Sequence, residues 1–261
     1  MKKLIYTILI LLFTTKLIAQ EKGIVLKVLS FNIHHANPPA DEKSGKIDLN
    51  AITEVIKLVD ADLIALQEVD ENTKRSGKGN QAKLIAQKLD LKVYFAKAID
   101  FDGGAYGIAI LSKYPISKHT IYRLTNQADT SAEPRIMQTV KVKLPGKKYI
   151  RFANTHLDFL ETGNRELQAK QIVNIVNQEK LPLILAGDWN AALPSKTLDI
   201  MDSALTRTCT NCPATFSDEN SLAIDFIAYH KKSSFKVKNH VVLNQVTASD
   251  HYPIWAELLV F

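Results

Sequence analysis

The sequence predicts a mixed α/β fold, and three observations predict it. Short apolar runs rich in Val and Ile alternate with longer segments of helical spacing. Six of those runs carry Asn, Glu, His or Asp at or beside one end; turn chemistry explains one Asp or Asn tip, but not six together in place of Gly and Ser. The 261 residues are 46% hydrophobic and 23% charged, with ten Gly and nine Pro, which excludes disordered, fibrous and low-complexity chains. No short repeat, long polar linker or composition break follows residue 20, so residues 21–261 are read as one domain with a sizeable core.

Residues 1–20 read as a secretory signal peptide. Lys2-Lys3 precede an apolar run over residues 4–13, and Leu17-Ile18-Ala19-Gln20 offers a small residue near a cut. The run is short for a membrane span, and an uncleaved anchor is the alternative. Export to the periplasm or beyond follows as an expectation. Setting Lys2, Lys3 and Lys16 aside takes Lys+Arg from 33 to 30 against Asp+Glu 27, so the formal charge falls from +6 to +3. Net charge alone then says little about a polyanionic partner.

Residues 25–33 form the first expected strand, whose end holds Asn32, His34 and His35. Leu49, Ile52, Val55, Ile56 and Val59 share one helical face, with Asp48 placed as cap. Residues 63–66 make a strand ending in Gln67-Glu68, and residues 81–89 a helix built on Leu84, Ile85 and Leu89. Gly103-Gly104-Ala105-Tyr106-Gly107 precedes a strand rather than a helix, so it reads as a turn and not a phosphate cradle. Residues 140–142 belong to an alternating strand, and 149–153 lead into Asn154-Thr155-His156-Leu157-Asp158. A third helix spans about 165–178 with Leu167, Ile172, Ile175 and Val176 inward. Residues 183–186 end in Gly187-Asp188-Trp189-Asn190. Asp225 opens the strand at 224–229, and Ser249-Asp250-His251 precedes the strand at 253–260. A strand rooted in a core fixes such a tip, as a preorganised site requires.

Glu68, Asp188 and Asp250, with the amides of Asn32 and Asn190, are hard oxygen donors suited to Mg²⁺ or Mn²⁺, one ion or two. A phosphodiester is anionic and repels hydroxide. Metal and imidazolium charge at its non-bridging oxygens, and a carboxylate aligning water, would lower that barrier.

Ser30-Phe31-Asn32-Ile33, Leu66-Gln67-Glu68-Val69, Asn154-Thr155-His156-Leu157, Gly187-Asp188-Trp189-Asn190, Ile224-Asp225-Phe226-Ile227 and Ser249-Asp250-His251 resemble, in order, the motifs of the endonuclease/exonuclease/phosphatase superfamily. The resemblance covers about residues 25–260. It implies a four-layer α/β/β/α sandwich of two mixed, mainly antiparallel sheets flanked by helices, with the site where strand ends converge. It implies Glu68 as the principal metal ligand, with Asn32 and Asp250 beside the metal. Asp188, helped by Asn190, would position and activate the water. His251, oriented by Asp225, would contact the scissile phosphate, and His156 the phosphate or leaving oxygen, with general-acid work open to it. A hydrogen-bonded core imidazole is the alternative for His156. The sequence departs from some branches. His34 stands where apurinic-site endonucleases have an acidic ligand, and the inositol phosphatase signatures are missing: Ala191-Ala192 follows Asn190, and Ala223-Ile224 precedes Asp225.

Four substrate contacts are weaker expectations. One of His34 and His35 takes a phosphate or second-metal position while the other satisfies a carbonyl. Arg75 lies in a loop, Lys74 to Lys78, that either lines the mouth or is simply solvated. Tyr106 is a candidate contact, and Arg135 either meets phosphate or forms a structural ion pair. Cys209 and Cys212 suggest a small disulfide loop in an exported chain.

The expected function is an exported, metal-dependent phosphoesterase that hydrolyses a phosphodiester by in-line attack of water, acting as a monomer. A small-molecule or phospholipid-headgroup substrate leads, with peripheral membrane contact open to the lipid case. A secreted nuclease, supported by Lys141, Lys143, Lys147 and Lys148, is the alternative, and an inactive binding protein the third class.

Overall fold

In the first strand Leu26 and Val28 turn to one side and Leu29 and Phe31 to the other, and all four are buried. A strand buried on both faces needs cover above and below, which explains apolar runs without alternation. The structure, a computed structural model, describes residues 23–217 and 221–261, so the expected signal peptide lies outside the described residues. The chain runs β1 (Ile24–Asn32), α1 (Leu49–Val59), β2 (Leu63–Glu71), α2 (Gln81–Leu89), β3 (Lys92–Phe101), β4 (Gly104–Ser112), β5 (Ile116–Arg123) and β6 (Ile136–Lys143). It continues through β7 (Tyr149–His156), α3 (Thr162–Gln178), β8 (Leu183–Asp188), α4 (Lys196–Asp202), β9 (Leu205–Arg207), β10 (Asp225–His230), β11 (Phe235–Val242) and β12 (Ile254–Val260).

Two six-stranded sheets form, in the orders β11-β12-β1-β2-β4-β3 and β5-β6-β7-β8-β10-β9. Each is antiparallel except for one parallel pair, β1 with β2 and β7 with β8, and each of these pairs is joined through a helix, α1 and α3 respectively. Leu26, Val28, Leu63 and Ile110 of the first sheet meet Val140, Phe152, Ile184 and Ile227 of the second in a central core. Ile52, Val55, Ile56 and Ile85 of α1 and α2 cover the outer face of the first sheet. Ala169, Ile172, Val176, Leu198 and Met201 of α3 and α4 cover that of the second. The result is the expected α/β/β/α sandwich. Among the described residues no helix is long and apolar enough to cross a membrane.

Local reasons hold for most elements. The Asp48 carboxylate accepts from the Asn50 and Ala51 N–H groups, both at 3.0 Å, and so caps α1. Three corrections concern what lies beyond periodicity, the first being that residues 104–107, expected in a turn, lie within β4. Helix α3 starts at Thr162 and turns Asn164, Gln168, Ala169, Ile172 and Val176 inward, leaving Leu167 and Ile175 half-buried. The Gln168 amide accepts from Asp158 N–H and donates to the Thr125 carbonyl, so a polar residue takes an inward place by tying down loops. Strand β2 does not stop at Leu66 but runs on to Glu71, with an irregularity where two residues face one on β4.

Candidate active site

The parallel pairs β1/β2 and β7/β8 send their C-terminal ends to one end of the sandwich, and β10 and β12 begin there. In register, His156 of β7 faces Asp188 of β8, which faces Asp225 of β10. Gly187 makes that spacing: a Cβ on it would lie 2.1 Å from the Thr155 carbonyl oxygen, so only glycine lets β8 approach β7 this closely. Glu68 reaches the same place by another route. It is the extra residue of the β2 bulge, with φ 56°, and the bulge swings its carboxylate toward β1. There the Asn32 amide donates to Glu68 Oε1 at 3.0 Å and to Asp188 Oδ2 at 3.1 Å. Asn32 thus clamps two carboxylates that would otherwise repel.

His251 is fixed from behind. Its Nδ1 donates to Asp225 Oδ2 at 2.9 Å, the Thr215 hydroxyl donates to the same oxygen at 2.7 Å, and Phe216 packs on the ring. Its Nε2 faces Asp188 Oδ2 at 3.7 Å. Burial works against the imidazolium, but the Asp225 and Asp188 carboxylates outweigh it and raise the pKa to about 10. Asp188 is pushed up to about 7 by burial and by Asp225, against the opposing pull of His251 and the Asn190 N–H. That N–H donates to Asp188 Oδ1 at 2.9 Å, while the Asn190 side-chain amide holds the Leu157 carbonyl at 3.0 Å. His156 Nε2 lies 3.5 Å from Asp188 Oδ2. Burial, Arg135 and His251 keep His156 neutral, well below the usual imidazole value. Because Arg135 Nη1 donates toward Nδ1 at 3.3 Å, the ring proton sits on Nε2 and points into the site.

A cavity of about 320 Å³ opens over these groups, lined by Glu68, Asp188, Asp250, His156, His251 and Arg135, with Tyr106, Glu133, Asn190, Phe159, Phe216 and Ile224. All five residues expected to be catalytic, and Asn32, Glu68 and Asp250, therefore come together. Arg135, 4% exposed, is in the wall and pairs with Glu133 at 2.9 Å, so its expected roles in site and ion pair coexist. Tyr106 lines the cavity beside it, its phenol pushed well up by burial and by Glu68. Arg75 is placed otherwise. It grips the buried Asp70 with two bonds of 2.7 and 2.9 Å and stacks on Phe101 and Tyr106, so it braces the wall from outside the cavity. His34 gives its Nδ1 to the Asn37 carbonyl at 3.0 Å, and both His34 and His35 flank Glu68. Burial, with Arg75 and His34 nearby, lowers the His35 pKa to about 4. Cys209 and Cys212 form the expected disulfide.

Sequence reasoning quoted Asn154 in a motif without giving it a role, and missed other contributors. Asn154 bridges the sheets: its amide donates to the Leu66 and Ala109 carbonyls at 2.9 Å each and its oxygen accepts from Gln67 at 2.8 Å. Thr215, Glu133 and Phe159 lie in segments of irregular structure, where no pattern pointed at them. The one available signal was Asn154 itself, already part of the strand-end run that leads to His156.

A four-layer sandwich whose strand ends gather carboxylates, an Asp–His pair and a second imidazole around one cavity defines a phosphoester hydrolase. Residues 29–251 match the model of the Endonuclease/Exonuclease/phosphatase family, and the chain belongs to that family. No curated protein matches the chain. Among solved structures it is similar to an endonuclease/exonuclease/phosphatase of Beutenbergia cavernae, with TM-score 0.78, 22% identity, and coverage of 90% of this chain and 72% of that one. It is similar to a mannosyl-6-phosphatase of Bacteroides thetaiotaomicron, with TM-score 0.73, 23% identity and coverage of 90% and 99%. The catalytic domain of human Nocturnin with bound sulfate follows at TM-score 0.68, 21% identity and coverage of 90% and 93%. At these identities the likeness shows the fold.

Proposed function

We propose that this chain is an exported, divalent-metal-dependent hydrolase of phosphodiesters carrying a small organic or lipid-headgroup alcohol. The observation that carries it is the single point reached by Asp188 Oδ2, with Asn32 Nδ2, His156 Nε2 and His251 Nε2 at 3.1, 3.5 and 3.7 Å. The donor set fits a divalent cation: Glu68, Asp188 and Asp250 line the cavity with the His251 imidazolium and an Arg135 already paired with Glu133, and among the described residues Asp225 Oδ1 is buried with no partner. Glu68 and Asp250 are the residues that would hold the ion. When bound, it would supply charge at a non-bridging phosphate oxygen.

The chain's own groups do the rest. Asp188, with its pKa drawn toward neutrality, accepts a proton from the attacking water. His251, kept cationic by Asp225, donates through Nε2 to a phosphate oxygen. His156 is neutral, so it brings no full positive charge and donates a hydrogen bond from Nε2 to the leaving ester oxygen, whose bond to phosphorus breaks as the water's forms, the departing alcohol taking its proton from solvent. Phe159, 56% exposed, gives the mouth an apolar edge suited to an amphiphile, and Leu160 next to it in the chain is 74% exposed. Export fits the Cys209–Cys212 disulfide. A second reading, a sugar phosphomonoesterase, gains from the polar Glu133–Arg135 wall and the likeness to the mannosyl-6-phosphatase.

The test is a metal-supplemented panel of aryl phosphodiesters, phospholipids, sugar phosphates, RNA and plasmid DNA. We expect turnover of small diesters that EDTA abolishes, and a loss of at least about 10³-fold in kcat for Asp188→Ala or His251→Ala. Full turnover by a folded His251→Ala enzyme would overturn the mechanism.

A further inference from the structure

The segment after β1 has an unusual backbone. His34, His35 and Ala36 hold φ of 44°, 43° and 60°, three successive left-handed residues without a glycine among them. Such residues cost roughly 1–2 kcal/mol each, and their conformation needs support. The support is visible: Asn32 Oδ1 accepts from the His34 N–H at 3.1 Å, Ile33 O from the Ala36 N–H at 2.7 Å, and Gln81 Nε2 donates to the His35 carbonyl at 2.6 Å. The tight left-handed turn brings two sequential imidazoles to 4.5 Å between centroids. One nitrogen of each ring and one Glu68 oxygen all lie within 4.8 Å of one another.

Three further features bear on what this cluster binds. Among the described residues the His35 Nδ1 atom is buried with no hydrogen-bond partner, although a buried ring nitrogen normally has one. The His34 Nδ1 proton is fixed on the Asn37 carbonyl at 3.0 Å, which leaves the Nε2 lone pair free, the arrangement typical of a metal-bound histidine. Among the described residues the guanidinium nearby, Arg75, spends its side-chain hydrogen bonds on Asp70 and makes none to Glu68, although Glu68 and His35 both feel its charge. Ligand atoms around an ion with ~2.1 Å bonds stand about 3–4 Å apart. Rotation of three half-buried side chains closes the remaining gap.

We infer that His34, His35 and Glu68 form a site for a divalent transition metal of the Mn²⁺, Co²⁺ or Zn²⁺ type, on the flank of the active-site cavity. Two imidazoles and a carboxylate suit these borderline ions, whereas Mg²⁺ prefers an all-oxygen set. The inference rests on the metal-dependent reading only through Glu68, which the two sites share. It assigns both histidines to one ion, where the sequence alone divided them between a ligand and a structural role.

Co²⁺ binding to the metal-free, full-length protein tests it, read by visible absorption and by calorimetry with Mg²⁺ in parallel. We expect the wild type to show the absorption of nitrogen-ligated Co²⁺. His34→Ala and His35→Ala should each weaken Co²⁺ by at least about tenfold and change Mg²⁺ affinity by less than about twofold. Circular dichroism identifies variants that have not folded, and His35→Gln, which keeps most of the volume, serves in their place. Wild-type Co²⁺ affinity in both variants, or equal loss of Mg²⁺ and Co²⁺, overturns the site. Co²⁺ binding as expected by a protein inert on every phosphoester would instead sink the catalytic reading and leave this site standing.

Discussion

His251 and Asp188 are two buried groups whose ionisation is set by each other and by Asp225. His251 is raised to about 10 and Asp188 to about 7, so near neutrality the imidazole is charged and the carboxylate sits close to its midpoint. With the folded histidine value above the ordinary 6.5, its protonation stabilises the fold fully below 6.5, and that contribution is lost as pH rises through about 10. Activity that needs the imidazolium should fall over the same alkaline range. Asp225→Asn replaces the carboxylate 2.9 Å from Nδ1 with a neutral amide that can present either its oxygen or its NH₂ to the ring. We expect it to move the alkaline limb of the rate profile down and to cost about 10²–10⁴-fold in kcat, by loss of both charge and ring orientation. An unchanged limb, measured as kcat against pH, would show that Asp225 does not tune His251. Thr215 belongs to the same unit. It donates to Asp225 Oδ2 at 2.7 Å and accepts from the Asp225 N–H at 3.0 Å, holding that carboxylate to its strand.

At the scale of elements, catalytic geometry is strand spacing. A methyl group at Gly187 meets the Thr155 carbonyl at 2.1 Å, so Gly187→Ala must push β8 from β7 and carry Asp188 away from His156. Displacements of about 1 Å at reacting groups cost on the order of 100-fold in rate. We expect Gly187→Ala to lose activity of that order, and Asn154→Ala to lose about 2–4 kcal/mol of stability in urea melts. The second figure follows from two backbone carbonyls and the Gln67 amide losing their buried partner. Neither position could be ranked this way from the sequence. The six strand tips, the Asp48 cap and the apolar face of α1 were legible because periodicity and capping are local, whereas α2 buries Gln81, Ala82, Ile85 and Ala86 and leaves the expected Leu84 and Leu89 half-buried. The Glu68 bulge was not, because a backbone angle of φ 56° leaves no trace in hydrophobic pattern. The Asn154 bridge was not, because it joins two sheets. Arg75 went unplaced for a related reason: its partner, Asp70, lies five residues earlier and drew no attention in the sequence, yet it is fully buried.

At the scale of the whole molecule, charge is distributed in a way that separates the two substrate classes. Lys141 and Lys143 pair in register with Arg151 and Tyr149, whereas Met137 pairs with Thr155, next to His156. The β6 lysines, with Lys147 in the turn that follows them, therefore sit at the far end of the sheet. Seven strand steps separate Tyr149 from His156, or about 23 Å. Lys141 is stacked on Tyr149 there. Among the described residues lining the cavity, Arg135 is the one Lys or Arg, and Glu133 already pairs with it. A nucleic-acid strand crossing the mouth would meet Glu68, Glu133 and Asp250 beside the apolar edge at Phe159, with those lysines out of reach. A protein that grips six to ten phosphates loses about 10³–10⁵ in affinity between roughly 50 and 200 mM salt. We expect this enzyme's kcat/KM on a small phosphodiester to change by less than about twofold over that range, and plasmid DNA to be neither retained nor cut at a comparable rate. Plasmid cleavage that collapses with salt along that slope would transfer the enzyme to the nucleases, and would require a phosphate-binding surface that the β6 lysines cannot supply.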